Sequence, residues 1–498
     1  MTDRNCRVNR KLALLLMVAC LWSFGALPAE GAPYAAAEEQ LKSLSLEQLG
    51  KLQVTTVSKQ PEEVWKTPAA VYVLTQDDIR RSGATSLPEL LRLVPGVQVS
   101  RSQSDQWAVA IRGFNSQFSK AILVLIDGRS VYTPLFEGVY WDVQDLVFED
   151  IDRIEVIRGP AASIWGPNAV NGVINIVTKR ASETQGSMAS AAGGSPVDRF
   201  TGEIQQGLRP TNRFQFRVFA KGFNRGPELN PGHDPYDRWH QERGGFRADW
   251  EPAARDTLTA SADIYQGKSG AQTVVGEFFP PEQLVTDAPE AVSGGNLNIR
   301  WNRQVNSRSN FYLQGYFDRT NRRTPQFSET RNTFDLDFID HIASLPRQDI
   351  ILGAGLRQSP SYILQRQATV DFEPHRQNDF IYSWFLQDSL QLVPNRLELT
   401  LGSKFEDNNF SGLGTEPSAR LLWNPSAHQA IWGAVSRALR IPGRLDRNLT
   451  LIGNAVPAPP LFVEIRGNPK FRPEVLIGWE AGYRQLLTQK LFVDVAAF

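Results

Sequence analysis

One short stretch concentrates the residue types that bind metal ions. It contains two histidines and two aspartates, His233, Asp234, Asp237 and His240. Imidazole and carboxylate groups together suit divalent transition metals, which makes His233, Asp237 and His240 weak candidate ligands. A solvated loop would carry the same residues without a metal, and we favour that alternative. The sequence therefore predicts no metal site and no cofactor.

Aromatic side chains form the second group that could do chemistry, by stacking on a flat or aromatic ligand. The candidate ligand contacts are Trp107, Phe114, Phe118, Tyr132, Tyr140 and Trp141. The alternative is that these rings belong to a domain core. No nucleophile elbow, HExxH pair or phosphate-binding loop occurs in the chain, so the sequence does not predict an enzyme.

The elements that must position these residues fall into two parts. Up to about Lys179, strand and helix signals alternate. Thr75 is a candidate N-cap, and Pro95-Gly96 ends a helix that opens near Ser86. An Asn171-Gly172 turn then leads into a β-branched run ending at Thr178. This pattern predicts one mixed α/β domain.

From about residue 186, segments of roughly ten residues alternate polar and apolar side chains, as transmembrane β-barrel strands do. In Arg213–Gly222, for example, Phe214 and Phe216 oppose Gln215 and Arg217. A soluble sandwich also alternates, but here the polar face carries charge in strand after strand. We therefore predict an antiparallel transmembrane β-barrel. Its long loops are expected at 223–242, 266–295 and 437–474.

The N-terminus indicates export. Arg4, Arg7 and Lys11 precede an apolar stretch, Leu12 to Leu27, and small residues follow. That order predicts a signal peptide over residues 1–37. Beyond it no run reaches the ~20 apolar residues of a spanning helix, so strands must cross any membrane. The 53 basic and 53 acidic residues balance, which argues against a nucleic-acid partner.

Four phrases follow one another within about seventy residues: IRG at Ile111, LIDG at Leu125, DIDRIEVIRGP from Asp150 and NAVNGVINIVTK from Asn168. Together they resemble the plug domain of TonB-dependent outer-membrane receptors. The resemblance implies an N-terminal α/β plug followed by a barrel of the 22-stranded type. The expected order is a signal peptide (1–37), an N-terminal segment (38–60), a plug (61–180) and a barrel (186–498).

The resemblance also implies a function. We expect an active-transport receptor in the outer membrane of a Gram-negative bacterium, surrounded by outer-membrane lipid and monomeric. Its substrate would be an iron–siderophore or a similar metal chelate. Its partner would be TonB, energised by ExbB and ExbD. The alternatives are a passive, porin-like channel and a nonfunctional or surface-binding remnant of a receptor.

Two groups of residues would carry this mechanism. The resemblance places the Ton box, the TonB-binding segment, on a β-prone strip: Leu52, Gln53, Val54, Thr55, Thr56, Val57 and Ser58. The alternative is an ordinary first strand of the plug. Charges beside plug strands need partners once they lie inside a polar lumen. Plug–barrel ion pairs are therefore expected at Arg112, Asp127, Arg153, Glu155 and Arg158, with salt bridges inside the plug as the alternative.

The length does not fit a complete barrel of that type. Residues 186–498 hold roughly fifteen strands at ~10 residues each plus connections. Phe498 lies on the same face as Asp494 and opposite the apolar residues of the last segment. We therefore expect the chain to stop partway round the barrel, as a fragment or a truncated reading frame.

Overall fold

The computed structural model describes residues 52–113, 115–116, 118–228, 236–276, 283–343, 345–426, 428–456, 461–488 and 491–498. It has a small α/β domain, here called the plug, and one large antiparallel sheet of 15 strands. The predicted signal peptide falls outside the described residues. Within the described residues, no helix is long and apolar enough to cross a membrane.

The plug contains short strands and three short helices. They are β1 (Gln53–Val54), β2 (Glu62–Glu63), β3 (Val71–Thr75), α1 (Gln76–Arg81), α2 (Leu87–Leu91), β4 (Val97–Gln103), β5 (Gln106–Ile111), β6 (Ile122–Ile126), β7 (Arg129–Ser130), β8 (Tyr132–Thr133), β9 (Gly138–Val139), β10 (Ile151–Arg158), α3 (Ala162–Trp165) and β11 (Gly172–Thr178). Their order confirms the mixed α/β prediction.

The central plug sheet has the order β3-β10-β11-β6-β7. The β-branched run predicted to form a strand is β11, which pairs antiparallel with β10 and parallel with β6. Val156 and Ile174 lie opposite each other and are fully buried. Helix α1 begins with the predicted Thr75 cap, whose side chain accepts the Asp78 N–H while the Asp78 carboxylate accepts the Thr75 N–H.

The remaining elements belong to the large sheet or lie between its strands. They are β12 (Gly186–Gly193), β13 (Asp198–Thr211), β14 (Phe214–Arg225), β15 (Trp239–Ala253), β16 (Asp256–Gly276), β17 (Gln283–Gln304), β18 (Ser309–Arg323), β19 (Phe327–Ile342), β20 (Gln348–Gln365), β21 (Val370–Phe372), β22 (Arg376–Val393), β23 (Leu397–Asn408), β24 (Gly412–Ser426), β25 (Gln429–Arg440), α4 (Arg444–Asn448), β26 (Leu449–Val456), β27 (Leu461–Arg466), β28 (Glu474–Thr488) and β29 (Leu491–Ala497).

The large sheet is a sequential meander in which each strand pairs antiparallel with the next. Strands β21, β26 and β27 form a separate small sheet. The count of 15 confirms the predicted number of strands. Among the described strands, β12 pairs only with β13 and β29 only with β28. Short turns join the strands at one end, for example at 212–213, and longer connections such as 441–473 lie at the other.

The polar face of β14 is turned toward the plug. On β14, Gln215, Arg217 and Lys221 are buried, whereas Phe214 and Phe216 remain partly exposed. The period of two therefore places charge on the plug side and apolar side chains on the outer side, as predicted.

One predicted loop is wrong. Residues 266–295 are mostly strand, because β16 continues to Gly276 and β17 begins at Gln283. Gly270 lies opposite Pro289, and the ladder continues as far as Gly276 opposite Gln283. Backbone pairing uses the main-chain groups of each strand, so a ladder can continue where the side-chain pattern is irregular. The prediction rested on the Pro, Gly and Asn content of this stretch, but Gly267, Gly270 and Pro289 all lie within the ladder.

Candidate functional site

The contacts between the plug and the large sheet include several buried ion pairs. On β14, the Arg217 guanidinium lies 3.0 Å from Asp150, and Lys221 Nζ lies 2.9 Å from Asp145. Lys221 also donates to the backbone carbonyl of Leu146 at 2.6 Å. All four charged side chains are less than 10% exposed. Buried charges of this kind are tolerated because each has a partner.

Two of the five charges predicted to form plug–barrel pairs do contact the large sheet. The Arg112 guanidinium lies 2.7 Å from the Glu480 carboxylate on β28. Asp127 lies 3.5 Å from Arg247 on β15 and accepts the Thr178 N–H at 2.8 Å. Both plug residues adopt positive φ angles, +58° for Arg112 and +48° for Asp127. Each is followed by glycine, so tight turns direct these side chains.

The other three charges make their described contacts inside the plug. Arg153 lies 2.8 Å from Glu155 and also pairs with Asp152. Arg158 donates to the Pro95 carbonyl at 3.2 Å. At Arg153, Glu155 and Arg158 the structure therefore has contacts inside the plug in place of the predicted plug–barrel ion pairs. Arg153 and Glu155 are two apart on one strand, so their side chains share a face and can meet directly.

The N-terminal strip, Leu52–Ser58, lies against the plug. The backbone N–H groups of Thr55 and Thr56 each donate to Glu155 Oε2 at 2.9 Å, and the Thr56 hydroxyl contacts the same carboxylate. Trp165 Nε1 donates to the Thr56 carbonyl at 2.6 Å. Glu155 and Thr56 are fully buried. Gln53–Val54 also forms the short strand that the sequence left as the alternative interpretation.

Lys59 follows the strip directly and reaches the large sheet. Its Nζ lies 4.7 Å from the centre of the Trp165 ring and 4.9 Å from that of Phe385 on β22. Its backbone has a φ of +58°. Burial lowers the pKa of Lys59. The lysine is therefore a buried link from the segment after the strip to both the plug and the sheet.

Several of the predicted aromatic residues line one cavity of about 370 Å³, here called the hairpin cavity. It lies between the tip of the β4–β5 hairpin and the large sheet, where Ala271, Val274, Glu290 and Arg322 line it. Trp107, Phe118, Tyr140 and Trp141 are among its lining residues.

The other two predicted aromatic residues lie elsewhere. Tyr132 lines two smaller spaces between the plug and the sheet, and it is not among the residues around the hairpin cavity. Phe114 lies outside the described residues. Trp107 also has a structural role, because its ring packs 5.4 Å from Trp239 and its Nε1 donates to Glu89 at 3.0 Å. The Trp107 side chain thus both packs in the protein interior and lines the hairpin cavity.

The charged residues of the hairpin cavity are those that the sequence interpretation missed. Asp105, Asp142, Glu290 and Arg322 all line it. Arg322 Nη2 donates to both carboxylate oxygens of Asp142, at 2.8 and 2.6 Å. The tight turn between two strands at Ser104-Asp105 was a readable signal for a hairpin tip. Nothing local could have connected that tip with strands more than 150 residues away.

The candidate metal ligands do not converge. Asp237 uses its carboxylate to accept the backbone N–H groups of Ser104, at 2.8 Å, and of Glu228, at 3.1 Å. His240 is exposed on β15, and His233 lies outside the described residues. In the described part of the chain, no three His, Cys, Asp or Glu side chains could hold a metal ion together. Asp237 instead anchors the tip of the β4–β5 hairpin.

A second, larger space lies at the opposite, short-turn end. It has a volume of about 1040 Å³, and its lining includes Thr55, Lys59 and Gln60 together with Arg255 and Arg303 of the large sheet. The plug therefore separates a smaller cavity near the long connections from a larger polar space beside the N-terminal strip.

Comparison with known families matches both parts of the chain. Residues 63–173 match the family described as "TonB-dependent Receptor Plug Domain", and residues 189–498 match "TonB dependent receptor-like, beta-barrel". The second match alone covers more than half of the chain.

Similar curated proteins include the vitamin B12 transporter BtuB of Vibrio cholerae. It is 34% identical over 203 residues, covering 39% of this chain and 31% of that protein. The ferric enterobactin receptor of Pseudomonas aeruginosa is 27% identical over 313 residues, covering 58% of this chain and 39% of the receptor. The matches thus span only 31% and 39% of these relatives' own lengths.

Solved structures show the same fold. The P. aeruginosa ferric enterobactin receptor PfeA, solved as a mutant with enterobactin, has a TM-score of 0.68 at 18% identity, covering 86% of this chain and 72% of that one. The siderophore receptor PirA of Acinetobacter baumannii has a TM-score of 0.66 at 17% identity, covering 89% of this chain and 70% of that one.

Proposed function

The chain belongs to the family of TonB-dependent receptors, and from this we propose that it is an active-transport receptor of a Gram-negative outer membrane. The observation that carries the proposal is the position of the plug between two cavities that it keeps apart. A passive pore has no need of such an occluding domain. Transport through this arrangement requires the plug to be remodelled.

We propose that the N-terminal strip is the segment on which TonB pulls. Extended segments of this kind can add as a strand to the exposed sheet edge of a partner. The strip borders the large space at the short-turn end. Its Thr55 and Thr56 amides are occupied by the single carboxylate of Glu155. Engagement by TonB, energised by ExbB and ExbD, would therefore first break a compact set of hydrogen bonds.

The nature of the plug–sheet contacts supports mechanical remodelling. Arg112–Glu480, Asp127–Arg247 and Lys221–Asp145 are polar contacts. Water can solvate both partners of such a pair once they separate, whereas separating apolar surfaces exposes them at a cost of roughly 25 cal/mol per Å². Charge pairing thus favours a plug that stays in place at rest and detaches under force.

For the substrate we propose an iron–siderophore or a similar metal chelate. The proposal is supported by the names of relatives, which include a ferric enterobactin receptor, siderophore receptors and a vitamin B12 transporter. Binding would begin in the hairpin cavity, where aromatic rings and carboxylates from the plug and the sheet meet. A cavity of this volume lies within the range of roughly 300–1,000 Å³ usual for small-molecule sites.

The test of the transport role is binding of the periplasmic domain of TonB to the purified chain. In Val54→Pro, proline removes a backbone donor and should abolish strand addition. Val54→Ile keeps the donor and serves as the matched control. We expect the unaltered chain and Val54→Ile to bind and Val54→Pro not to bind. Equal binding by both variants would rule out the strip as the partner segment. Energy-dependent uptake of ferric chelates in cells with and without TonB then tests transport itself.

A further inference from the structure

The hairpin cavity is unevenly charged. Three carboxylates, Asp105, Asp142 and Glu290, line it against one guanidinium, Arg322. In the described part of the cavity wall, no lysine, histidine or second arginine offsets this excess. A ligand entering the cavity therefore meets a net negative lining.

The single arginine is already engaged. Arg322 donates to both oxygens of Asp142, lies 3.7 Å from Glu290 and stacks 3.9 Å from the centre of the Tyr140 ring. A guanidinium paired and stacked in this way has little capacity left for an anionic ligand. The positive charge of Arg322 is thus paired with groups of the cavity wall and is not available to a ligand.

Asp105, unlike Arg322, has an oxygen that is free to accept a hydrogen bond. It lies at the tip of the β4–β5 hairpin, is 4% exposed, and its Oδ1 has no hydrogen-bond partner. The neighbouring Ser104 N–H is held by Asp237 at 2.8 Å, so the hairpin tip has a defined position. A buried acceptor without a partner costs free energy, and a ligand that donates to it would recover that cost.

Aromatic rings complete the lining. Trp107, Phe136 and Trp141 face the same space, and Phe136 packs edge-on against Tyr140 with ring centres 4.9 Å apart. Aromatic faces attract cations, most strongly where water is excluded. Carboxylates beside aromatic rings therefore favour a positively charged organic group. A bare metal ion is disfavoured, because no described group of three acids or histidines could enclose one.

We propose that the hairpin cavity is a subsite for an organic cation, in which an ammonium or guanidinium group of the ligand pairs with Asp105 while its flat portion packs against Trp107 and Trp141. The inference rests on the proposed function, since it describes where the transported ligand first binds. It narrows that ligand to an amine- or guanidine-bearing molecule and disfavours polyanionic chelates.

The pH dependence has a defined sign. Burial, together with the nearby charges of Asp142 and Glu290, raises the pKa of Asp105 to about 7, while Arg322 opposes the shift. A cation binds the ionised carboxylate, so its affinity should increase as the pH rises from 6 to 8. The Ser269 hydroxyl beside Asp105 carries no charge and does not change this sign.

The experiment uses three probes of similar size: 2-phenylethylamine, 2-phenylethanol and 3-phenylpropionate. Binding to the purified chain in detergent is measured by saturation-transfer NMR. At pH 8 we expect the amine to bind about tenfold more tightly than the carboxylate, with the alcohol between them. Equal or tighter binding of the carboxylate would overturn the proposal.

Two variants assign the effect to the cavity. Asp105→Asn should remove both the preference for the amine and its pH dependence, and Glu290→Gln should reduce the preference. Glu464→Gln is the control, because Glu464 is an exposed acid that pairs with Arg466 on β27. An amine preference that survives both cavity variants would contradict the proposal.

The outcome can be separated from that of the transport test. Probe binding needs no partner, and TonB binding needs no probe. Loss of the amine preference with intact TonB binding would reject the cation subsite alone. An amine preference without TonB binding would reject the transport mechanism alone.

Discussion

The guanidinium of Arg112 in the plug lies 2.7 Å from the carboxylate of Glu480 on β28, and these side chains are only 12% and 7% exposed. The two residues are more than 360 positions apart in the chain. A pair so deeply buried holds the plug against the sheet only while both charges are present, because either one alone would be buried without a partner.

Removing one partner should therefore be worse than removing both. Arg112→Gln leaves Glu480 unpaired and is expected to destabilise plug docking by about 3–5 kcal/mol. Arg112→Gln combined with Glu480→Gln should cost less than the single substitution. Urea-dependent protease sensitivity of the plug measures both quantities. A double variant as unstable as the sum of the single variants would show that the two residues do not interact.

Weakening Glu155 as a hydrogen-bond acceptor should release the N-terminal strip from the plug. Glu155→Gln replaces the charged acceptor of the Thr55 and Thr56 amides with a neutral one, and hydrogen bonds to charged groups contribute about 1.5–3 kcal/mol each. Hydrogen exchange of those two amides should accelerate about tenfold for each 1.4 kcal/mol lost. Glu183→Gln, at an exposed acid just after the plug, is the control. Unchanged exchange would mean that Glu155 does not hold the strip.

The stability of the plug should fall as the pH rises through a window set by Glu137. This residue is 1% exposed, and burial raises its pKa to about 8. The pKa of Glu137 is higher in the folded state than in the unfolded state, where it is roughly 4.3. Below about pH 4.3 the carboxyl is neutral in both states, so its burial carries no cost from charge. The advantage is lost as the pH rises from about 4.3 to 8.

The slope from this one group should approach about 1.4 kcal/mol per pH unit within that window. Glu137→Gln should remove it and make the variant more stable than the original chain at pH 8. Urea midpoints measured at intervals between pH 4 and pH 9 would show the effect. Glu251→Gln, which alters an exposed acid at the end of β15, should leave the slope in place.

The position of residues 64–69, the segment after the strip, should depend on the planar guanidinium of Arg484. Arg484 on β28 is fully buried and donates to the backbone carbonyls of Val64 at 3.1 Å, Thr67 at 2.6 Å and Ala69. Lysine keeps the charge but cannot reproduce the planar fork. Arg484→Lys should leave some of these backbone carbonyls without a hydrogen bond. Each unsatisfied carbonyl should lower the free energy of unfolding by about 1–3 kcal/mol.

Limited trypsin digestion measures that effect, because Lys66 is already exposed and release of the segment frees the backbone after it to enter the protease active site. Cleavage should be faster in Arg484→Lys than in the unaltered chain. Arg213→Lys, at an exposed arginine of the β13–β14 turn, should digest like the unaltered chain. Resistance to cleavage in Arg484→Lys would indicate that other contacts hold residues 64–69.

The sequence by itself determined the class of fold, the number of strands in the large sheet and the face on which each strand carries charge. These properties follow from local patterns. A period of two decides which side chains share a face, as Arg217 and Lys221 do, and β-branched runs and turns mark a strand such as β11. Where the local pattern faded, as over 266–295, the prediction failed although the strands continued.

Only the tertiary structure decided which charges meet. Arg112 pairs with Glu480, whereas Arg153 pairs with Glu155 beside it. Asp237, a candidate metal ligand by sequence, anchors a plug hairpin instead, and Asp105 lines a cavity with Glu290 of β17. Alternation specifies the face of a strand but not its height or rotation relative to the plug. Ion pairs form only within about 4 Å, so contacts across more than 100 residues depend on that relative placement.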